Sequence, residues 1–415
     1  MLILDLLYGL FFLLSWPFWL KYVLKRSYRP QLKSRLKPQL DPAPGKSLWI
    51  HAVSVGEVRS LRALVEALGG TGQRIILSVT TPAGFAFARA EYPAIPVILA
   101  PLDLSFIIRR FIDRVQPRLV IFNELEVWPN WISMLHRRRI PMLLINGRIS
   151  GPAFRRYRFF NLLLRPFFQR IDGYLVQNEL YRQRFLRLGI PGERITVCGN
   201  IKADEADGSL GQLPLPAAVR AHLRLPPGVQ RIVVLASSHL DDEKVFIPAI
   251  ASSPGGCFFI IVPRHVERAA AIASQLQTSG IPHALFSRNN GIAPGTRAMV
   301  YDRMGYLFPI LSIADIVFMG GTFNARTGGH NLYEPAALGK VIVGGPHYEN
   351  FPDIGRELED AGAYRQVNSS GEWLDFLGDY PDLDLGRVSE SARAAVRKRK
   401  GSLACSLEQI RLFLA

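Results

Sequence analysis

The feature that most constrains this chain is a twice-repeated alternation of short apolar runs with amphipathic segments. Residues 48–53, 74–79, 95–99, 118–122, 142–145 and 173–176 each read as a buried strand. Between them, residues such as Val58, Leu61, Leu64, Val65 and Leu68 recur at helical spacing. Strand–helix alternation of this kind demands a parallel sheet covered on both faces. Within 206–229 the pattern breaks into GSLGQLPLPAAV and LPPGV, which is linker chemistry. It then resumes over 231–235, 257–262, 298–301, 316–319 and 341–343. Two doubly wound domains follow, with ligands expected in a cleft at the carboxyl ends of their strands. A length of 415 residues is enough for both. Residues 386–415 read as one long helical pattern able to cross back to the first domain.

The N-terminus adds a different constraint. Residues 1–20, MLILDLLYGLFFLLSWPFWL, approach the ~20 residues needed to cross a bilayer. Asp5 and Pro17 weaken the span, whereas Trp16 and Trp19 suit its interfaces. No basic residue precedes the run and no small-residue cleavage site follows it, so an anchor is expected rather than a cleaved signal. Lys21, Lys25, Arg26, Arg29, Lys33, Arg35 and Lys37 come next with no acid among them. The positive-inside rule then places the remaining chain in the cytoplasm and the basic run against anionic headgroups. The expected order is an anchor (1–24), a basic, Pro-rich connector (25–46), a Rossmann-like domain (47–205), a linker (206–229), a second Rossmann-like domain (230–385) and the C-terminal helix (386–415).

Charge agrees with a membrane partner. Fifty Lys plus Arg against 34 Asp plus Glu leave a net charge of +16, which predicts a polyanionic or membrane-surface partner. Residues 151–170, GPAFRRYRFFNLLLRPFFQR, combine arginines with a wide apolar face. That suits a helix on a membrane or one receiving an acylated anionic molecule, and it is too apolar for nucleic acid. The three cysteines, Cys198, Cys257 and Cys405, lie far apart, so neither a disulfide framework nor a cysteine zinc site is expected. No metal-ligand spacing appears elsewhere; Asp382-Leu-Asp384 sits in a Tyr-Pro turn and reads as loop.

Polar clusters follow several of the expected strands. HAVSVGE (51–57) is a strand-to-helix turn in which Ser54 and Gly56 permit the bend and Glu57 enters the first helical turn. There the helix dipole is expected to keep Glu57 ionised, as a general base requires. NELEVWPN (123–130) carries Glu124 and Glu126, and Asn146-Gly147-Arg148 ends the next strand. Gly199-Asn200-Ile201-Lys202 ends the last strand of the first domain. In the second half, Ser237-Ser238-His239 and Pro263-Arg264-His265 occupy strand ends, where Arg264 and His265 could meet a phosphate. GGTFNARTGGHNLYEP (320–335) follows a strand and opens a helix, with His330 or Asn331 as its cap and Glu334 in its first turn. Both a Gly-Lys-Ser/Thr phosphate loop and Gly-x-Gly-x-x-Gly are absent.

Taken together, HAVSVGE, ELEVWPN, NGR-S, GNIK, VPRH, Met304-Gly305, GGHN–EP and GPH–NF resemble, in order and spacing, the 3-deoxy-D-manno-octulosonic acid (Kdo) transferase family of lipopolysaccharide synthesis. Leu125 stands where the family usually has Thr, and Arg303 interrupts its usual Asp-Thr-Met-Gly. The resemblance implies a GT-B fold of two Rossmann-like domains. It implies inverting transfer of Kdo from CMP-Kdo to a lipid A precursor at the inner membrane, by domains on its cytoplasmic side. Glu57 would be the general base, and Glu124 would be a second catalytic acid supporting the acceptor or donor carbohydrate side. Ser54, Gly56, Glu126, Arg148 and Lys202 would line the acceptor side. Arg264, His265, Met304, Gly305, Gly328, Gly329, Asn331 and Glu334 would hold CMP-Kdo, with no metal or other cofactor. Two rivals carry less of the pattern: a UDP-sugar transferase of the same fold, and a non-enzymatic binder of anionic polymers.

Overall fold

The computed structural model describes residues 5–6, 8–10, 15, 29–41, 45–226, 228–253, 255–288 and 292–414. Most of the expected anchor, and Lys21, Lys25 and Arg26, lie outside the described residues. Among the described residues no helix is long and apolar enough to cross a membrane. Asp5, within the expected anchor, accepts hydrogen bonds from the Ser105 backbone N–H at 2.9 Å and the Asn130 side-chain amide at 3.0 Å. The chain divides into two compact units, Met1–Glu205 with Lys400–Ala415, and Ala206–Arg399.

The first unit is built on a parallel sheet of β1 (Ser47–Ala52), β2 (Ile75–Val79), β3 (Val97–Leu99), β4 (Pro117–Asn123), β5 (Met142–Gly147), β6 (Gly173–Val176) and β7 (Ile195–Val197). Its order is β3-β2-β1-β4-β5-β6-β7. Successive residues of β1 point to opposite faces, so Trp49 joins Phe111, Phe122 and Trp131 on one side, while Leu48 and Ile50 join Leu64 and Ile121 on the other. Both faces are buried, which is why the strands are continuous apolar runs. The chain winds outward from β1 to β3 and returns to β4 on the opposite flank of β1. Strand order therefore reverses between β1 and β4, the position where open α/β sheets bind ligands.

The second unit repeats the plan with β8 (Arg231–Ser238), β9 (Cys257–Pro263), β10 (His283–Leu285), β11 (Ala298–Val300), β12 (Ile316–Met319), β13 (Val341–Gly344) and β14 (Tyr364–Gln366). Its order is β10-β11-β9-β8-β12-β13-β14, all parallel, with the reversal between β8 and β12. Phe246, Phe259, Phe318 and Trp373 fill the core.

Several expectations are corrected. Strands β7, β10 and β14 had no signal in the apolar pattern; each is a three-residue edge strand, too short to display a period. The expected linker 206–229 contains the helix Pro216–Leu223, which buries Val219 and Leu223. The long C-terminal pattern is two helices, Leu385–Arg397 and Ser402–Leu414, broken at Gly401, whose φ of 103° suits glycine alone. The break coincides with the change of unit. The last helix buries Ile410 in the first unit's core, and Asp204 caps it by accepting from the Gly401 and Leu403 N–H groups, both at 2.9 Å. Its return also brings Cys405 to Cys198, and the two form a disulfide with Cα atoms 5.5 Å apart, which their sequence separation had argued against. Asp384, read as loop, caps the helix Leu385–Arg397 through the Arg387 N–H at 3.0 Å. Segment 151–170 is two helices, Gly151–Phe159 and Asn161–Phe168. At their junction Phe159, Leu162 and Leu163 are 82%, 91% and 68% exposed.

Candidate active site

In the first unit the polar clusters gather where β1, β4 and β5 end. Ser54, in extended backbone, caps the helix Val55–Ser60 and accepts from the Glu57 N–H. The bend needs no glycine at 56: Gly56 adopts an ordinary φ, and a Cβ there would meet nothing closer than the Ser54 Oγ at 4.0 Å. The Glu57 carboxylate turns back to accept from the Val53 N–H at 3.0 Å and the Ser54 hydroxyl at 3.3 Å. These bonds and the helix start favour the ionised form, but they do not prevail. Burial first, then the charges of Glu124 and Glu126, push the Glu57 carboxyl up to about 8. The expectation that the dipole keeps Glu57 ionised at neutral pH is thus overturned: three carboxylates share one half-buried corner, and desolvation outweighs the dipole.

Glu124 follows β4 with φ of 60°, and Asn146 ends β5 with φ of 53°. Neither is glycine, so each stores about 1 kcal/mol or more of backbone strain, as residues at functional sites often do. Arg148 donates from Nε to Glu124 at 2.7 Å, and that carboxylate, first among the causes, keeps the guanidinium charged. Glu126 accepts from the Trp128 indole N–H at 2.8 Å and lies 3.2 Å from His51 Nε2. Two loop ends are fixed from below, since Asp103 accepts from the Asn130 and Trp131 N–H groups at 3.0 and 2.8 Å and anchors the helix Pro129–Arg137. Lys202 follows β7, at the edge of the sheet. Its N–H donates to Asn200, from which side-chain amides run through Gln177 to Asn146 along the ends of β7, β6 and β5.

In the second unit, Arg264 and His265 follow β9, Met304 and Gly305 follow β11, and Gly328, Gly329, Asn331 and Glu334 follow β12. With β8 these strands are consecutive in the sheet, so the predicted donor residues share one edge. Arg264, His265, Met304 and Gly305 are exposed. The caps differ from the sequence reading: Leu332 is the N-cap of the short helix Tyr333–Ala337, Asn331 accepts from the Tyr333 N–H at 3.1 Å, and His330 points elsewhere. His330 Nε2 lies 2.8 Å from His239 Nε2, with the rings stacked and His265 edge-on to His239. Burial leads the causes that lower His239, with His265 and Arg264 adding to it. Buried Asp242 ties this edge together by accepting from the His239 and Gly321 N–H groups at 2.8 and 2.7 Å. Gly320 packs so closely that a Cβ would lie 2.4 Å from the Ser237 carbonyl, whose own residue has φ of 56°. His51, Asp242 and the His239–His330 pair were not singled out by sequence; apart from the local cap between His239 and Asp242, their partners are distant in the chain and leave no local pattern. Among the described residues no group of three His, Cys, Asp or Glu could hold a metal ion.

Two parallel α/β units, each gathering polar side chains where its strand order reverses, form the architecture of GT-B glycosyltransferases. A solved glycosyltransferase from Rickettsia africae shares it, with a TM-score of 0.59 at 14% identity over 90% of this chain and 99% of its own. So does a UDP-GlcNAc 2-epimerase from Neisseria meningitidis, at 0.58 and 12% over 86% and 96%. The family profile described as 3-deoxy-D-manno-octulosonic-acid transferase (kdotransferase) matches residues 27–205. The 3-deoxy-D-manno-octulosonic acid transferase of Chlamydia pneumoniae is 34% identical over 83% of this chain and 79% of its own length, and that of Haemophilus influenzae is 31% identical over 80% and 78%. The chain belongs to the Kdo transferase family and is a glycosyltransferase that transfers Kdo in lipopolysaccharide core biosynthesis.

Proposed function

We propose that this protein transfers Kdo from CMP-Kdo to a hydroxyl of a lipid A precursor, with inversion and without a metal, on the cytoplasmic side of the inner membrane. The observation that carries the mechanism is Glu57, a carboxyl raised to about 8 by burial and by Glu124 and Glu126. A carboxylate with that proton affinity is matched to deprotonating an alcohol as it attacks. The acceptor oxygen bonds to the anomeric carbon of Kdo while Glu57 takes its proton. The bond from that carbon to the phosphate oxygen breaks, and the electron pair leaves with CMP. Arg264, His265 and the Gly328–Glu334 turn are assigned to that leaving group, since cationic and N–H donors stabilise a departing phosphate. Incubation with a lipid A precursor and either CMP-Kdo or UDP-sugars, read by mass spectrometry with and without EDTA, tests the reading. A product heavier by Kdo, formed equally with EDTA, is expected; transfer only from a UDP-sugar, or loss with chelator, refutes it.

Membrane attachment is assigned to residues 1–24, the basic run after them, and the exposed Phe159, Leu162 and Leu163 beside Arg155, Arg156 and Arg158. Apolar side chains flanked by arginines insert at an anionic interface. Replacing these three apolar residues by Ser is expected to lower the full chain's partitioning onto anionic vesicles by about tenfold or more, because each loses a burial worth up to roughly 1.5–3 kcal/mol. Cosedimentation equal to wild type would remove this edge from the attachment.

A further inference from the structure

His51 is the least expected polar residue of the first unit. It is 1% exposed at the end of β1, with the rings of Phe122, Trp128 and Trp131 around it. A phenylalanine or leucine could fill such a space without any partner, whereas a buried imidazole is costly unless its nitrogens are bonded. Both are. Nδ1 lies 2.9 Å from Ser78 Oγ, and Nε2 lies 3.2 Å from Glu126 Oε2, with Thr80 Oγ1 at 3.4 Å.

The bonding pattern assigns the proton. Trp49 Nε1–H donates to Ser78 Oγ at 2.9 Å, and of the two acceptors within reach of the Ser78 hydroxyl hydrogen, His51 Nδ1 at 2.9 Å is nearer than the Ile50 carbonyl at 3.4 Å. The neutral ring then carries its hydrogen on Nε2 and donates to Glu126. The opposite tautomer would aim a lone pair at a carboxylate. A doubly protonated ring also donates from Nε2, so Glu126 receives this bond in either state.

The two bonds to Glu126 fall on one oxygen. Trp128 Nε1–H and His51 Nε2 both reach Oε2, and among the described residues Oε1 has no partner. Glu126 is only partly buried, with its side chain 26% exposed. A carboxylate clamped through one oxygen by two donors, buried His51 and half-buried Trp128, presents the other in a fixed direction.

We propose that His51 is a positioning residue, held by Ser78, that orients Glu126 so that Oε1 accepts a hydroxyl of the acceptor carbohydrate. The proposal rests on the functional reading above and deepens it, because it gives Glu126 a binding task distinct from the proton transfer at Glu57. A network of this kind is preorganisation by buried supporting residues, so its loss is felt in the acceptor's binding and alignment rather than in the donor's.

Two substitutions separate this role from mere packing. The amide of His51→Gln can reach the place of Nε2 and still donate to Glu126. That of His51→Asn reaches only the Nδ1 side and leaves Glu126 without the bond. Steady-state transfer from CMP-Kdo is measured with acceptor and donor varied in turn, and melting curves of both variants normalise for folded protein. His51→Asn is expected to lower kcat/KM for the acceptor by about 10²-fold while the donor KM stays within about threefold of wild type, and His51→Gln is expected to recover most of the loss. Equal impairment of both variants per folded enzyme, a matching rise in donor KM, or an unimpaired Asn variant would overturn the role. A wild-type protein inactive with CMP-Kdo would instead refute the functional reading, and this proposal with it; normal wild-type turnover beside an unimpaired Asn variant refutes His51 alone.

Discussion

Glu57→Gln is expected to reduce transfer by about 10³-fold, within the range of about 10²–10⁴ that a positioned general base contributes, while the donor still binds. The amide keeps the volume and can still accept from the Val53 N–H, so the helix start survives. In the wild type, turnover should rise with pH by about tenfold per unit and level off near 8, because only the ionised carboxylate accepts the proton. Stability should run the other way. The folded carboxyl titrates near 8 and the unfolded one near its ordinary value, so between those values the native state binds the extra proton. Stability conferred by the protonated form is therefore fully present at acid pH and is lost as pH rises toward 8. Glu57→Gln carries no such charge, so its melting temperature should exceed that of the wild type at pH 8 to 9. A flat pH–rate profile between 6 and 8, or substantial turnover in the Gln variant, would remove Glu57 from the proton transfer.

Arg148→Met has the second largest expected effect. Arg148 pairs with Glu124 at 2.7 Å, and their side chains are 32% and 15% exposed. Deleting a cation from a corner already holding three carboxylates raises the proton affinity of Glu57 further, since Glu124 is the largest electrostatic cause of its shift. At pH 7 turnover should fall by about tenfold to a hundredfold, each additional pKa unit costing about tenfold in ionised base. The deficit should shrink above pH 9, where Glu57 ionises regardless. Partial exposure limits the stability loss to about 1–3 kcal/mol, below the cost of stranding a fully buried charge. Adding Glu124→Gln should return the alkaline limb toward its wild-type position. The electrostatic account fails if the limb does not move in Arg148→Met.

The fold was largely legible because buried parallel strands write their burial into consecutive residues. The runs that became β1, β4, β8, β9 and β12 stood out as apolar segments bounded by polar turns, and the reversals of strand order lie where the motif-bearing turns had already been noticed. What escaped notice was short or relational. Strands β7, β10 and β14 are three residues each and belong to sheet edges. Gly401 looked like one residue within a helix, yet it marks where the chain changes unit. Cys198 and Cys405 pair across a separation of 207 residues because the last helix returns to the first sheet.

By itself, the amino-acid sequence determined the two parallel sheets, the polar turns at their strand ends and the presence of a carboxylate at each critical bend, since hydrophobic period and turn chemistry are local properties. Only the tertiary structure decided what those carboxylates do. Glu57 holds its proton because burial and two acids from another strand's loop oppose the helix start beneath it. Glu124 pairs with Arg148, and Glu126 is aimed by a histidine that sequence placed merely inside a strand. Proton affinity depends on desolvation and on charges a few ångströms away, and those distances are set by packing between segments far apart in the chain.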